Sequence, residues 1–66
     1  MDVQMLKAKI VEKGLSVEKL AFLIKMDRSS LYRKLGNPGR INIGEAMRIK
    51  DALGLTNEEA SKIFLA

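Results

Sequence analysis

The feature that most restricts the fold of this chain is a helix-start signal that recurs along it. Five residues suited to cap a helix N-terminus each precede a short segment with helical apolar spacing: Asp2, Ser16, Asp27, Asn42 and Thr56. An apolar residue stands before four of these caps and can pack, as a hydrophobic staple, on the residue five positions later. The four pairs are Leu15 with Leu20, Met26 with Leu31, Ile41 with Ala46, and Leu55 with Ala60. The pattern therefore predicts five short helices.

The expected helices run from Val3 to Lys13, then from just after Ser16 to Ile24, from just after Asp27 to Leu35, from just after Asn42 to Leu53, and from just after Thr56 to Leu65. Glycines at 14, 36 and 54 are expected to end the first, third and fourth helices. Residues 37–40 (Asn-Pro-Gly-Arg) favour a type II turn. Leu20, Leu23 and Ile24 form the expected apolar stripe of the second helix, beside a small Ala21. The fold class is all-α, a single compact domain over residues 1–66.

Composition restricts the chemistry. The 66 residues include no Cys and no His, so disulfides, the commonest transition-metal sites and the usual catalytic thiol or imidazole base are excluded. We therefore expect no enzymatic activity, no cofactor and no small-molecule ligand. No apolar run approaches the roughly 20 residues of a membrane span, and Met1-Asp2-Val3 lacks the layout of a secretory signal. The expected location is the cytosol.

Positive charge is concentrated in the middle of the chain. Residues 25–50 hold seven Lys or Arg against two acids, and every Arg of the sequence lies there. Arg suits bidentate contact with phosphates and base edges. A solvated basic face that serves only solubility is the other interpretation of the same charges.

The second and third helices flank a corner of about three residues, 25–27, which is the connection length of a helix-turn-helix. If Leu31 and Leu35 face the core, Ser29 and Arg33 point about 160° away from Leu31. Arg28, Ser30 and Tyr32 flank these two, so the outer face carries no acid. Such residues are also ordinary on a surface, but after this corner and within the Arg-rich stretch they favour contact with DNA bases.

The order of these segments resembles the Cro/repressor, or XRE-like, helix-turn-helix family. The resemblance rests on residues 14–21 (Gly-Leu-Ser-Val-Glu-Lys-Leu-Ala) and 27–35 (Asp-Arg-Ser-Ser-Leu-Tyr-Arg-Lys-Leu), and continues through 44–46 and 51–56 to Ile63-Phe64. The Ser-Leu-Tyr-Arg-Lys-Leu run and the Ile-Phe ending are most similar to short Cro-like phage regulators of Gram-positive bacteria. The implied fold is a five-helix, lambda-repressor-like DNA-binding domain.

The resemblance also implies residue roles. Base contacts would come from the recognition helix, at Arg28, Ser29, Tyr32 and Arg33. DNA backbone contacts would come from the start of helix 2 and the loop after helix 3, at Ser16, Val17, Asn37 and Arg40.

Three positions depart from the family pattern. The corner usually carries Gly where this chain has Lys25, and a positive φ there would cost on the order of 1 kcal/mol. Val17 replaces a polar phosphate binder, which leaves only its backbone amide for that contact. Lys50 replaces a small residue on the inner face of helix 4, where its stem could pack while its amine reaches solvent.

The expected partner is a double-stranded DNA operator of two-fold symmetry, bound by a homodimer with half-sites one helical turn apart. Ile63, Phe64 and Leu65 could supply the dimer contact, or Ile63 and Phe64 could close the core and leave Leu65 outside. The alternative function is a protein-interaction module of the same fold that binds a partner regulator without contacting DNA.

Overall fold

Five helices make up the secondary structure of the described chain, and no strand occurs in residues 1–37 and 40–66, the part that this computed structural model describes. The helices are α1 (Val3–Glu12), α2 (Val17–Leu23), α3 (Arg28–Gly36), α4 (Ile43–Leu53) and α5 (Asn57–Phe64). The predicted all-α class and the number of helices are thereby confirmed.

Each helix begins where its cap predicts, because the capping hydrogen bond depends only on neighbouring residues. The side chains of Asp2, Ser16 and Asp27 accept hydrogen bonds from backbone N–H groups of the first turn at 2.9–3.1 Å. Asn42 and Thr56 form complete capping boxes, in which the glutamate three positions later also accepts from the cap backbone.

Three helices end in the same way, with one residue in the left-handed region. Gly14, Lys25 and Gly54 have φ values of 73°, 58° and 62°. After each of them the next backbone N–H donates five residues back, at 2.9–3.0 Å, which is the long hydrogen bond of the Schellman motif. Lys25 therefore occupies a position that glycine takes at the two matching helix ends, and its φ is the positive one that would carry strain.

Two predicted features of the helices are wrong. Gly36 does not stop α3, since it is the last residue of that helix and Asn37 is the C-cap. Leu23 does not belong to the buried stripe of α2, because it is 47% exposed, whereas Ala21 is buried. The inner face of α2 is rotated so that Leu20, Ala21 and Ile24 face the core together. The type II turn predicted at residues 37–40 includes Pro38 and Gly39, which lie outside the described residues.

The core is a single apolar cluster to which every helix contributes, and its members are Leu6, Ile10, Leu20, Ala21, Ile24, Leu31, Leu35, Ile49, Leu53, Leu55 and Ile63. Helix α2 lies at its centre and contacts α1, α3 and α4, while α5 packs on α1. The radius of gyration is 10.4 Å, close to the roughly 10.8 Å expected of a compact domain of this length. Ile63 closes the core and Leu65 stays outside it.

Within the described ranges, no helix combines the length and the hydropathy that crossing a membrane requires.

Candidate functional site

The corner between α2 and α3 sets the position of the candidate site. Ile24 caps the C-terminus of α2, Lys25 turns the chain through its positive φ, and the Met26 N–H returns to the Ala21 carbonyl at 2.9 Å. The Arg48 guanidinium of α4 donates to the Ile24 carbonyl at 3.2 Å. This bond connects the end of α2 to α4, next to the corner from which α3 begins.

The outer face of α3 is open to solvent. Ser29 and Arg33 are exposed, as the helical spacing from the buried Leu31 and Leu35 predicts, and Tyr32 is 57% exposed. The Arg33 guanidinium donates to the Ser30 hydroxyl at 3.3 Å, one turn back along the helix. Among the described residues no carboxylate lies within ion-pair distance of Arg33. The face thus presents cationic, hydroxyl and aromatic groups to any molecule that approaches it.

Arg28, at the start of α3, differs from Arg33 because it has an acidic partner. Its guanidinium lies 3.3 Å from the Glu18 carboxylate of α2, and both side chains are about two-thirds exposed. Glu18 belongs to another helix, so the wheel of α3 alone could not reveal it. An exposed pair of this kind is worth about 0–1 kcal/mol, which leaves Arg28 available to a stronger anionic partner.

A concavity beside the outer face brings together residues from α3 and the segment after it. It is lined by Ser30, Arg33, Lys34, Asn37 and Arg40. Arg40 is exposed, and its backbone N–H donates to the Asn37 carbonyl at 3.0 Å. Asn37 and Arg40, which are predicted to contact the DNA backbone, therefore line the same concavity as Arg33, which is predicted to contact a base. An anionic oxygen placed there would meet guanidinium and amide donors at once.

The two remaining predicted contacts lie elsewhere on the surface. Ser16 is exposed, and its hydroxyl accepts from the Lys19 N–H at 3.1 Å as the cap of α2. Val17 is half-buried and packs against the core. Both line a separate depression with Val11 and Lys7 of α1, which shares no residue with the concavity around Arg33.

Sequence reasoning missed the role of Lys34. Its ammonium forms a close ion pair with the Glu45 carboxylate of α4, which also accepts from the Asn42 N–H at 3.0 Å in the capping box. Glu45 is buried, and the hydrogen bond from Lys34, followed by that from Asn42, holds the pKa of its carboxyl below the usual range. The pair spans eleven positions across the loop, so no helical periodicity signals it. It joins the end of α3 to the start of α4 and borders the concavity.

A third ion pair lies away from this surface, where Lys9 of α1 contacts Glu59 of α5 at 2.6 Å. The hydrogen bond from Lys9, and next that from the Thr56 N–H, lower the pKa of Glu59 to about 2. The same contact raises the pKa of Lys9. Since this pair lies on the partly buried α1–α5 seam and accounts for the shift, the perturbed pKa indicates a structural contact and not a reactive group.

In residues 1–37 and 40–66 no three His, Cys, Asp or Glu side chains cluster closely enough to hold a metal ion. Comparison of this chain with models of protein families, with curated proteins and with solved structures finds no match.

Proposed function

We propose that this chain is a sequence-specific DNA-binding transcription regulator without catalytic activity. In this proposal α2, the Lys25 corner and α3 form a helix-turn-helix within a lambda-repressor-like domain, and α3 enters the major groove. The observation that carries it is the solvent-open outer face of α3, where Arg33 has no acidic partner among the described residues.

Base reading is assigned to Arg28, Ser29, Tyr32 and Arg33. Arg33, which is exposed, would donate to a guanine O6 and N7 pair, and the exposed ring of Tyr32 suits a thymine methyl group or, through its hydroxyl, a phosphate. Arg28 would exchange the Glu18 carboxylate for a base or phosphate as the helix docks.

Backbone contacts are assigned to Asn37 and Arg40, which the concavity places beside Arg33, and to Ser16 and the amide of Val17 at the start of α2. A phosphate at the concavity would set the register of α3 along the groove, since phosphate contacts position a protein while base contacts specify sequence. Ser16 already accepts the Lys19 N–H, so its hydroxyl proton is what a phosphate could receive.

Selection from a random pool of DNA duplexes with the purified protein tests the proposal. The expected result is enrichment of one short sequence, present as two inverted copies with centres about 10 base pairs apart if two protein copies bind together. Affinity should fall as salt rises, by about 0.9 log unit per log unit of salt for each phosphate neutralised. A pool that shows no enrichment, with binding that ignores salt, would contradict DNA recognition and favour a module that binds a partner regulator through the same face.

A further inference from the structure

Helices α3 and α4 have few direct contacts with each other, because both pack mainly on α2. Within the described ranges, one polar contact joins them, the close ion pair between the Lys34 ammonium and the Glu45 carboxylate. The position of α3 relative to α4 therefore depends on their shared packing against α2 and on this single pair.

Glu45 contacts the chain on both sides of Arg40. Its Oε2 atom pairs with the Lys34 ammonium near the end of α3. Its Oε1 atom accepts a hydrogen bond at 3.0 Å from the N–H of Asn42, two residues after Arg40. One buried carboxylate thus connects the helix that carries Arg33 with the residues next to Arg40.

This connection joins two of the contacts assigned to DNA. Arg33 belongs to α3, whereas Arg40 lies nearer α4 in the chain, and both line the concavity. A duplex holds its base edges and its phosphates at fixed separations, so one docked position satisfies both residues only if α3 and Arg40 keep a matching distance. Because phosphate contacts set the register of a protein on DNA, a shift between the two would cost one contact or the other.

We propose that Glu45 is a positioning residue: its contact with Lys34 keeps α3 at the distance from Arg40 that a duplex requires. Glu45 is buried and would itself touch no part of the DNA. The inference rests on the proposed function, because the base contact of α3 and the phosphate contact of Arg40 are both assigned there.

Charge alone predicts the opposite effect of removing this carboxylate. Glu45→Gln raises the net charge of +4 by one and leaves the Lys34 ammonium free beside the concavity. One more cation available to a phosphate would tighten DNA binding and steepen the salt slope by about 0.9 log unit. If Glu45 positions α3, the same change weakens binding and flattens the slope, because Arg40 no longer reaches its phosphate. The sign of the change therefore separates positioning from charge.

Glu59→Gln is a matched control. Glu59 also completes a capping box, with Thr56, and also pairs with a lysine of another helix, Lys9 of α1, at 2.6 Å. The control variant has the same net charge as Glu45→Gln and loses the same kind of contact, but none of its contacts includes a residue of the concavity. A second comparison variant, Lys34→Arg, keeps a positive charge opposite Glu45.

Fluorescence anisotropy titrations of the selected duplex at several salt concentrations measure the affinity and the salt slope. Glutamine keeps a carbonyl oxygen for the N–H of the helix cap, so both glutamine variants should fold, and circular dichroism at the assay temperature verifies that they do. Loss of one phosphate contact weakens binding about eightfold at about 0.1 M salt, because each contact contributes about 0.9 log unit per log unit of salt.

We expect Glu45→Gln to bind about three- to eightfold more weakly, with a slope flatter by up to about 0.9 log unit. Glu59→Gln and Lys34→Arg should stay within about twofold of the unmodified chain. In an Arg40→Ala background, Glu45→Gln should cost less than about twofold, since the phosphate contact is already absent.

Binding by Glu45→Gln as tight as that of the unmodified chain, or tighter, would overturn the inference and leave the proposed function intact. Equal weakening by Glu59→Gln would overturn it too, since a general loss of stability would then be the cause. A chain that binds no DNA would refute the proposed function instead, and the ¹⁵N order parameter of the Arg40 amide, measured without DNA, would then decide the inference.

The Arg40 N–H donates at 3.0 Å to the carbonyl of Asn37, the C-cap of α3, and so spans the two parts of the chain that Glu45 connects. Its order parameter should fall from about 0.85 toward about 0.6 in Glu45→Gln and stay unchanged in Glu59→Gln. An order parameter that does not fall in Glu45→Gln would overturn the inference.

Discussion

Replacing Glu45 by glutamine should lower the free energy of unfolding by about 2 kcal/mol. The Glu45 carboxylate is 9% exposed and the Lys34 side chain 27% exposed, so water screens their contact poorly. A hydrogen bond to a charged group contributes about 1.5–3 kcal/mol, whereas a neutral one contributes about 1. Glutamine keeps a carbonyl oxygen for the Asn42 N–H, bonded at 3.0 Å, but loses the charge that Lys34 contacts. The difference isolates the ion pair from the capping box.

A loss of this size is large for a chain of 66 residues, whose total stability is roughly 3–10 kcal/mol at about 0.05–0.15 kcal/mol per residue. It corresponds to a decrease of roughly 8–16 °C in the melting temperature. Lys34→Met should be destabilising as well, because it leaves a buried carboxylate with only the backbone donor. The double variant should lose at least about 1 kcal/mol less than the sum of the two single losses, since both remove one interaction.

Thermal and urea unfolding at pH 7, followed by circular dichroism, measure these quantities. Glu58→Gln is the matched control, because Glu58 and Lys62 also form an ion pair, at 3.4 Å, but are 80% and 63% exposed. That variant should change stability by less than about 0.5 kcal/mol. A lowered carboxyl pKa gives stability that is present above pH 4.5 and lost as pH falls through the folded-state pKa. Additive single losses, or a Glu45→Gln variant as stable as the control, would refute the argument.

Four other predictions follow from named contacts. Arg33→Ala should cost about 1–3 kcal/mol at the selected DNA site and relax preference at one base pair, which equal loss on random DNA would contradict. Arg40→Ala should weaken all DNA alike and flatten the salt slope by about one unit, and an unchanged slope would remove Arg40 from the interface. Lys25→Gly should be about 0.5–1 kcal/mol more stable than Lys25→Ala in urea unfolding, since φ is 58° and relief of strain exceeds the added chain entropy. Lys9→Met should raise the pKa of Glu59 from about 2 toward 4.5 in a carboxyl ¹³C titration. In the unmodified chain, the stability that this ion pair contributes is fully present above pH 4.5 and is lost as the pH falls toward 2.

Controls keep these effects specific. Lys62→Ala removes one positive charge from α5, away from the outer face of α3, and should leave the base preference unchanged. Comparing Lys25→Gly with Lys25→Ala cancels the loss of the lysine side chain, so that only the Cβ atom differs. A Lys25→Gly variant less stable than Lys25→Ala would show that chain entropy exceeds the strain.

The helix starts could be predicted from the sequence because capping is local. Asp27 needs only the N–H groups of Ser29 and Ser30, and Thr56 needs only Glu59. The helix ends were harder to predict, because a glycine marks a helix end when its backbone is left-handed, and the residue type alone does not show whether it is. Gly36 shows this, since it continues α3 where Gly54 ends α4. Its role depends on the chain that follows and not on its own identity.

The inner face of α2 could not be assigned from apolar spacing alone. The helix has seven residues, so Leu20 and Ile24 are compatible with a stripe that turns toward either Ala21 or Leu23. The smaller side chain, Ala21, is the buried one, because α1, α3 and α4 all contact this helix and close approach favours alanine. Helix propensity and residue hydrophobicity do not predict how many other helices will pack against a given helix.

The candidate site shows a similar division. The exposure of Ser29, Tyr32 and Arg33 follows from one helix, and the sequence predicts it. The acidic partners of Arg28 and Lys34 cannot be predicted in this way, because Glu18 and Glu45 lie on other helices. Whether these carboxylates come close depends on how α2 and α4 pack. Some of the positive charge counted in residues 25–50 is thus paired with carboxylates of the same chain.

This pairing within the chain determines how strongly the affinity for DNA should depend on salt. Of the seven cations in residues 25–50, Lys34 is held by Glu45, Arg48 donates to the Ile24 carbonyl, Lys50 is half-buried, and Lys25 is exposed at the corner. Arg33 is assigned to a base, so Lys25 and Arg40, with Arg28 once it leaves Glu18, remain to neutralise phosphates. Two or three phosphates per copy give a slope of about −2 to −3, whereas seven would give about −6. The modest charge of this chain is therefore compatible with DNA binding only if most specificity comes from base contacts on α3, and this is why Arg33 carries more of the proposal than the net charge does.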